Sequence, residues 1–233
     1  MEPIFDLPLF GIFLSLATFV FATIIYERFR KVIFNPVLVT VVFIIVFLKA
    51  FDIEYERYNI GGQYLSFFLG PSIVALGVLF YEKYLVIKKN MLPFFLSVLS
   101  GSLMSILSVL LLCIGLNIPE LITRSLALKS ITTPIAVEVC LVIEGLPYLT
   151  AGFVIFVGII GNAFGVSMLQ HLGIHSPTAI GTALGTASHG IGTARALEVS
   201  DLAGAYSGLA MCLNGILTSF LAPVLVEWFM TPI

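Results

Sequence analysis

Charged residues are scarce in this chain of 233 residues: lysine, arginine, aspartate and glutamate together make up 10% of it, and the formal net charge is −2. Soluble domains carry about 25% charged residues. Here 59% of the residues are hydrophobic and the mean hydropathy is +1.11. A soluble fold of this size could not bury that much apolar surface, so we predict that the chain lies in a lipid bilayer. The near-neutral charge also excludes the basic surface that nucleic-acid binding requires.

Cysteine and histidine are too few, and too scattered, for a disulfide framework or a metal site. Three cysteines lie far apart within apolar runs and are predicted to be small buried side chains: Cys113, Cys140 and Cys212. His171 and His175 have the spacing of a metal pair, but Gly173 indicates a loop there and no third ligand is evident. We therefore expect neither a metal nor a cofactor.

Hydrolytic motifs are missing as well. The chain has no G-x-S-x-G turn and no ordered serine, histidine and aspartate set. Asp52 and Asp201 lie in predicted connections, which excludes the paired aspartates of an intramembrane protease, although a serine–histidine dyad stays open. We do not expect an enzyme.

Long apolar runs are abundant. A helix needs about 20 apolar residues to cross a bilayer. Eight segments approach this length: residues 7–26, 32–50, 63–82, 92–116, 119–143, 147–171, 177–198 and 203–230. The fold class predicted is all-α, a polytopic membrane helical bundle.

The charge pattern and the positions of the segments predict how the chain is arranged. Basic residues cluster in 27–31 and 83–90, and the positive-inside rule places both clusters in the cytoplasm. We expect one integral membrane domain over 1–233, with 1–117 as a scaffold of four helices and 118–233 as the transport core. Because no transit peptide is evident, a prokaryotic plasma membrane is the expected location.

Two of the eight segments, 119–143 and 177–198, are predicted to be discontinuous or re-entrant. Pro134 removes a helical hydrogen bond in the first, and Gly185, Gly190 and Gly192 weaken the second. Irregular backbone at membrane depth is tolerated only inside protein or beside a water-filled cavity.

The two broken segments also resemble each other. LALKSITTPIA (126–136) aligns with TALGTASHGIG (182–192), which indicates a weak internal repeat of two broken-helix plus helix units. The copies run parallel if both broken segments span the membrane, and a re-entrant hairpin would invert them; the sequence leaves both open.

The breaks offer an anion site. A helix that begins in mid-membrane presents free N–H groups and partial positive charge. Ionisable groups within membrane segments are functional candidates by default. The predicted substrate-binding residues are Lys129, Ser130, Thr132, Thr133, Ser188, His189, Gly190, Thr193 and Arg195, and the predicted coupling residues are Glu138 and His189. Two alternatives stay open, since Lys129 could extend its amine to an interface and Arg195 could pair with Glu198.

Several blocks of the sequence resemble the LrgB/CidB family of integral membrane proteins. The resemblance covers the chain from about residue 60 onward, in LGPSIVALGVLFYEK (69–83), KSITTPIA (129–136), LTAGFVIFVGIIGNAFG (149–165), GTASHGIGTARALE (185–198) and GAYSGLAMCLNGILTSFLAP (204–223). It implies either a holin- or antiholin-like regulator of murein hydrolases, acting with a small LrgA/CidA-type partner, or a carrier of small carboxylates.

Among these classes we favour secondary transport of a small monocarboxylate similar to pyruvate, glycolate or glycerate, coupled to protons. The alternatives are the antiholin-like regulator and a structural subunit that only supports its small partner. A carrier needs two polar breaks in mid-membrane, whereas the other two classes do not. A homo-oligomer is also expected.

Overall fold

A computed structural model of the chain describes residues 3–29 and 32–230. Within these residues the chain forms ten α-helices and two short 3-10 turns, without a β-strand. The helices are Pro8–Phe29 (α1), Pro36–Ala50 (α2), Tyr55–Phe67 (α3), Leu69–Lys89 (α4), Met91–Gly115 (α5), Glu120–Ala127 (α6), Thr133–Val142 (α7), Pro147–His171 (α8), Pro177–Val199 (α9) and Asp201–Met230 (α10). The predicted all-α bundle is confirmed. Arg30 and Lys31, part of the first basic cluster, lie outside the described residues.

Four of the described helices are long and apolar enough to cross a membrane: α1, α5, α8 and α10. Their bounds follow the predicted segments closely. The predicted segment 63–82 differs, because a break near Phe68 divides this region into α3 and α4. The polar stretch before residue 63 is helical because α3 packs tightly on α1, where a Cβ built on Gly61 would lie 2.3 Å from the Pro8 carbonyl oxygen.

The contacts divide the chain into two compact units, residues 1–75 and 76–233. In the first unit α1 packs against α2 and α3, and Asp6 forms an ion pair with Arg57 at 3.2 Å. In the second unit α10 packs against α5, α7 and α9, and α8 packs against α6, α7 and α9. Helix α5, which we assigned to the scaffold, therefore belongs to the same unit as both broken segments. The scaffold-and-core division at residue 117 stays a prediction.

The first broken segment is a re-entrant hairpin. Helices α6 and α7 are separated by residues 128–132, and the chain then returns to the side from which it came. The backbone N–H of Leu146 donates to Ser125 Oγ at 2.8 Å, and Arg124 Nη1 donates to the Ile143 carbonyl at 2.6 Å. The ends of a continuous helix over this stretch would lie about 30 Å apart. We call residues 119–146 the first hairpin and residues 128–132 its tip.

The second broken segment, α9, is also a hairpin. Ser188 and His189 have non-helical backbone angles, and His189 has φ +42°. A Cβ built on Gly192 would lie 2.7 Å from the Leu184 carbonyl oxygen, although eight residues of straight helix would separate them by about 12 Å. Both predicted breaks are thus confirmed. We call α9 the second hairpin and Ser188 and His189 its tip.

The two hairpins enter from opposite sides of the second unit. The first hairpin lies between the end of α5 and the start of α8, where Thr150 Oγ1 donates to the Ser125 carbonyl. The second hairpin begins beyond the other end of α8, where Val166 and Ile180 share a buried cluster. Since α8 is long enough to span the membrane, the repeat is inverted.

Candidate functional site

A cavity of about 1030 Å³ lies inside the second unit, between α5, α8, α10 and the two hairpins. It runs from the first residues of α5 and α9, marked by Asn90 and Thr178, to Lys129 and Ser188 at the two tips. The wall carries hydroxyl groups on an apolar background: Ser97, Ser100, Ser105, Ser108, Ser130, Thr178, Thr182, Thr186 and Ser188. Such a cavity is large enough for a small organic ligand.

Among the described residues that line this cavity, Lys129 is the only one with a charged side chain. Its Nζ donates to Ser105 Oγ at 2.8 Å and to Ser130 Oγ at 3.1 Å, and the two hydroxyls are 2.9 Å apart. The side chain is half-buried. The amine therefore points into the protein toward α5, which contradicts the alternative of a lysine that extends to an interface. None of the lining residues that the structure describes is an acid, so these residues offer a cation without a carboxylate beside it.

Asn214 on α10 joins the two hairpins. Its Nδ2 donates to the Ser130 carbonyl at 3.0 Å and to the Thr186 carbonyl at 2.9 Å. Its Oδ1 accepts a hydrogen bond from Ser102 Oγ at 2.6 Å and one from Thr218 Oγ1 at 3.2 Å. The breaks leave backbone carbonyls without helical partners, and one buried amide satisfies a carbonyl from each hairpin.

His189 faces away from the cavity. Its Nε2 lies 2.9 Å from the Val154 carbonyl, and since a carbonyl only accepts, the ring nitrogen donates. The ring also lies against α8 at Gly158, where a built Cβ would be 2.8 Å from it. His189 is 5% exposed and is not a lining residue. Its contacts fix the second tip to α8, and a coupling role stays a prediction.

The other predicted residues are distributed as follows. Ser130 and Ser188 line the cavity together with Lys129, whereas Thr132, Thr133, Gly190, Thr193 and Arg195 do not. Thr193 Oγ1 is buried and bonds Ser207 Oγ at 2.9 Å. Arg195 pairs with Glu198, as the alternative interpretation had it. Glu138 is exposed on α7.

Sequence reasoning missed the contribution of α5. Residues 97, 100, 101, 104, 105 and 108 line the cavity and repeat at helical spacing on one face. This pattern was visible, but small residues at three- and four-residue intervals also mark helix packing in membranes. Gly101 and Ser102 do serve packing, since Gly101 approaches Thr186 and Ser102 bonds Asn214. Tyr206 and the threonines at the start of α9 were missed as well.

The comparisons with known proteins decide the family. A family model described as the LrgB-like family matches residues 15–228. This chain belongs to the LrgB-like family. Two uncharacterized proteins of Bacillus subtilis, YxaC and YwbG, are 36% and 35% identical to it over 218 residues, which cover 94% of this chain and 95% and 97% of theirs. A third Bacillus subtilis protein, named antiholin-like protein LrgB, is 32% identical over 221 residues, 94% of this chain and 96% of its own length.

No solved structure matches the chain. The LrgB-like match includes both hairpins, α5 and all but the last two residues of α10, so every cavity-lining residue falls within the part of the chain that the family model describes.

Proposed function

We propose that this LrgB-like protein is a secondary transporter that carries a small monocarboxylate, similar to pyruvate, glycolate or glycerate, through the cavity between its two hairpins. One observation carries the proposal: Lys129 Nζ is held by Ser105 and Ser130 where the first tip meets α5, and none of the described lining residues is an acid. A cation at membrane depth is costly to bury. A bound carboxylate would supply the opposite charge.

The arrangement of the hairpins supports transport over static binding. Two hairpins that enter from opposite sides and meet near mid-membrane resemble the discontinuous helices of secondary transporters. The cavity extends from the meeting point toward the starts of α5 and α9 only. Movement of the tips would open the other side. With the predicted orientation, the present opening faces the cytoplasm of a prokaryotic cell, and we propose that protons couple to the movement.

We also propose that the chain is not an enzyme. Ser188 and His189 are the neighbouring serine and histidine of the second tip, but the one side-chain hydrogen bond of His189 among the described residues is from Nε2 to the Val154 carbonyl, and neither ring nitrogen contacts a serine hydroxyl there. This arrangement gives no support to a serine–histidine dyad.

The relatives favour a second candidate function. Relatives from Bacillus subtilis and Bacillus cereus, 32% and 30% identical to this chain, are named antiholin-like protein LrgB. Under this candidate the chain regulates murein hydrolase activity together with a small LrgA/CidA-type membrane partner. The two candidates are compatible if carboxylate movement is the cause and altered wall hydrolysis is its consequence.

Uptake by proteoliposomes tests the proposal. Purified protein is reconstituted, and uptake of labelled pyruvate and glycolate is measured under an imposed pH gradient. Lys129→Met should reduce saturable uptake at least tenfold, because hydrogen bonds to a charged group contribute about 1.5–3 kcal/mol. Lys89→Met is the matched control, since it removes the same charge at the exposed end of α4.

Uptake that is unchanged in Lys129→Met would reject the site, and no uptake by the unmodified protein would favour the regulatory candidate. Expression of Lys129→Met in a strain that lacks its own gene then separates the candidates further. Full control of wall hydrolysis by a variant that does not transport would break the causal link between them.

A further inference from the structure

A cluster of buried apolar side chains closes the cavity on the side from which the first hairpin enters. The lining residues of α5 end at Ser108, and the residues that follow pack against the first hairpin and the end of α10. We call this cluster the apolar plug; its members include Val109 and Cys113 of α5, Leu128 and Ile131 of the first tip, and Val226 of α10. A ligand that enters from the starts of α5 and α9 therefore crosses the protein only if the apolar plug opens.

The second hairpin is fixed to its neighbours by polar contacts along its length. Thr193 bonds Ser207 of α10 at 2.9 Å, and Asn162 of α8 donates to the Ile191 carbonyl at 2.8 Å. The backbones also approach closely, since a Cβ built on Gly185 would lie 2.1 Å from the Ser207 carbonyl oxygen. Movement of this hairpin would leave buried polar groups without partners, which is costly. The second hairpin therefore suits a fixed wall of the cavity.

The first hairpin has polar contacts at its base and at its tip, with the apolar plug between them. At the base, Thr150 of α8 donates to the Ser125 carbonyl at 3.2 Å. At the tip, Ser130 bonds Ser105 of α5 and its carbonyl accepts from Asn214 of α10. Hydrophobic contact is non-directional, whereas a hydrogen bond requires a defined geometry. The first hairpin can therefore turn about its base once the contacts of its tip are released.

Ser105 holds the first tip on α5. Its Oγ accepts from Lys129 Nζ at 2.8 Å and lies 2.9 Å from Ser130 Oγ, so two neighbouring tip residues share one hydroxyl. Lys129 is also the group that we propose to bind the carboxylate, so the ligand and Ser105 compete for the same amine. The carboxylate is the stronger acceptor, because it is charged. Without it, opening would carry an unpaired ammonium along the apolar plug, and burial of an unpaired charge is costly.

We propose that the first hairpin is the gate that closes this side of the cavity, and that Ser105 is the positioning residue that holds it shut until a carboxylate binds Lys129. The bound anion weakens the contact with Ser105, the tip moves away from α5, and the apolar plug opens. The second hairpin keeps its place. The inference deepens the proposed function and rests on it, because it states which element moves and what releases it.

Hydrogen exchange followed by mass spectrometry, on the full chain in nanodiscs, tests the role of Ser105 without requiring transport. Ser105→Ala removes the acceptor of Lys129 and the partner of Ser130, so residues 128–132 should exchange at least about fivefold faster, the effect of one lost hydrogen bond. Exchange in residues 186–190 should not change. In the parent, glycolate should also speed exchange in 128–132, whereas in Ser105→Ala it should cause no further increase.

Three further variants control this measurement. Ser108→Ala is the matched control, since Ser108 also lines the cavity from α5 but donates to the Ser105 backbone carbonyl of its own helix. Ser105→Thr keeps the hydroxyl and should exchange like the parent. Ser130→Ala breaks the same contact from the side of the hairpin, and it serves in place of Ser105→Ala if that variant does not fold.

A disulfide tests whether the second hairpin has to move. Thr193→Cys and Ser207→Cys place two cysteines where the hydroxyl oxygens are 2.9 Å apart, after Cys113, Cys140 and Cys212 have been replaced by alanine. Oxidation then ties the second hairpin to α10. Glycolate uptake by proteoliposomes should be the same for the oxidised protein and for the reduced protein.

The outcomes separate the gate from the proposed function. Exchange in 128–132 that Ser105→Ala and Ser130→Ala leave at the parent rate, or that glycolate slows in the parent, overturns the gate. Uptake that oxidation stops and a reductant restores overturns it as well, because the second hairpin would then have to move. Absence of uptake by the unmodified protein rejects the proposed function instead, and the exchange rates without glycolate still decide whether Ser105 holds the tip.

Discussion

His189 combines an unfavourable backbone with well-made side-chain contacts. Its φ of +42° and ψ of −137° lie where residues other than glycine are strained, at a cost of about 1–3 kcal/mol. The ring compensates by donating to the Val154 carbonyl and by packing on Gly158. The imidazole therefore holds the tip in place.

Substitution of His189 should accordingly affect stability more than ligand binding. His189→Ala keeps the strain and removes the hydrogen bond, so it should lower the free energy of unfolding by about 1–3 kcal/mol. His189→Gly also removes the strain and should be less destabilising than His189→Ala. Unfolding in detergent measures both effects, and glycolate affinity of the folded fraction should match the parent. A large affinity loss with normal stability would instead place the ring at the ligand.

Residue types predicted part of the site, and helix faces decided the rest. Lys129, Ser130 and Ser188 were predicted because polar groups at a helix break are costly to bury in lipid and are therefore functional candidates. All three line the cavity. Thr193 and Arg195 were predicted for the same reason, but they do not line the cavity. Thr193 bonds Ser207, and Arg195 pairs with Glu198. Sequence fixes their position along the helix, but only the packed structure determines which face meets the cavity.

At the level of elements, the joint between the hairpins depends on one amide. Asn214 bonds the Ser130 and Thr186 carbonyls, and both of those residues also line the cavity. A ligand that moves Ser130 would therefore act on the same joint as one that moves Thr186. This makes Asn214 the structural link between the two tips.

Asn214→Asp should loosen both tips together. The substitution keeps an acceptor but removes both N–H donors of the amide, and it places negative charge against two carbonyl oxygens. The free energy of unfolding should fall by about 3 kcal/mol or more. Hydrogen exchange followed by mass spectrometry should show faster exchange in residues 128–132 and in 186–190. Asn162→Asp is the comparison variant, because Asn162 donates to the Ile191 carbonyl and should loosen chiefly the second hairpin. Faster exchange at one tip only would reject the joint.

The sequence predicts where the two helices break, but it does not predict that the chain folds back into a hairpin after each break. Pro134 and the glycines of α9 lower helix stability locally, which is a property of the sequence. Whether a broken segment continues across the membrane or folds back depends on distant contacts, such as Leu146 with Ser125 and Gly192 with Leu184. Those contacts lie eight to twenty-one residues apart and leave no periodic signal.

At the level of the whole molecule, the hairpins fix the topology of the second unit. A hairpin does not cross the membrane, so α8 and α10 run in opposite directions and the two repeats are inverted. The turns beside Glu144 and Asn117 then lie on one side, and those beside His175 and Asn90 on the other. If the first broken segment spanned the membrane instead, Glu144 and Asn117 would lie on opposite sides. His175 and Asn90 would then also lie on opposite sides.

Labelling of single cysteines distinguishes these topologies. Asn117→Cys, Glu144→Cys, Asn90→Cys and His175→Cys are each introduced after Cys113, Cys140 and Cys212 have been replaced by alanine. A membrane-impermeant thiol reagent is then applied to intact cells and to inside-out vesicles. We expect Asn117→Cys and Glu144→Cys to react from the same side, and Asn90→Cys and His175→Cys from the opposite one. If Asn117→Cys and Glu144→Cys react from different sides, the first segment spans the membrane and the first hairpin is wrong. If the two cysteines of each pair react from the same side, the first hairpin is supported. The cavity then opens toward the side of Asn90, where the positive-inside rule places the cytoplasm.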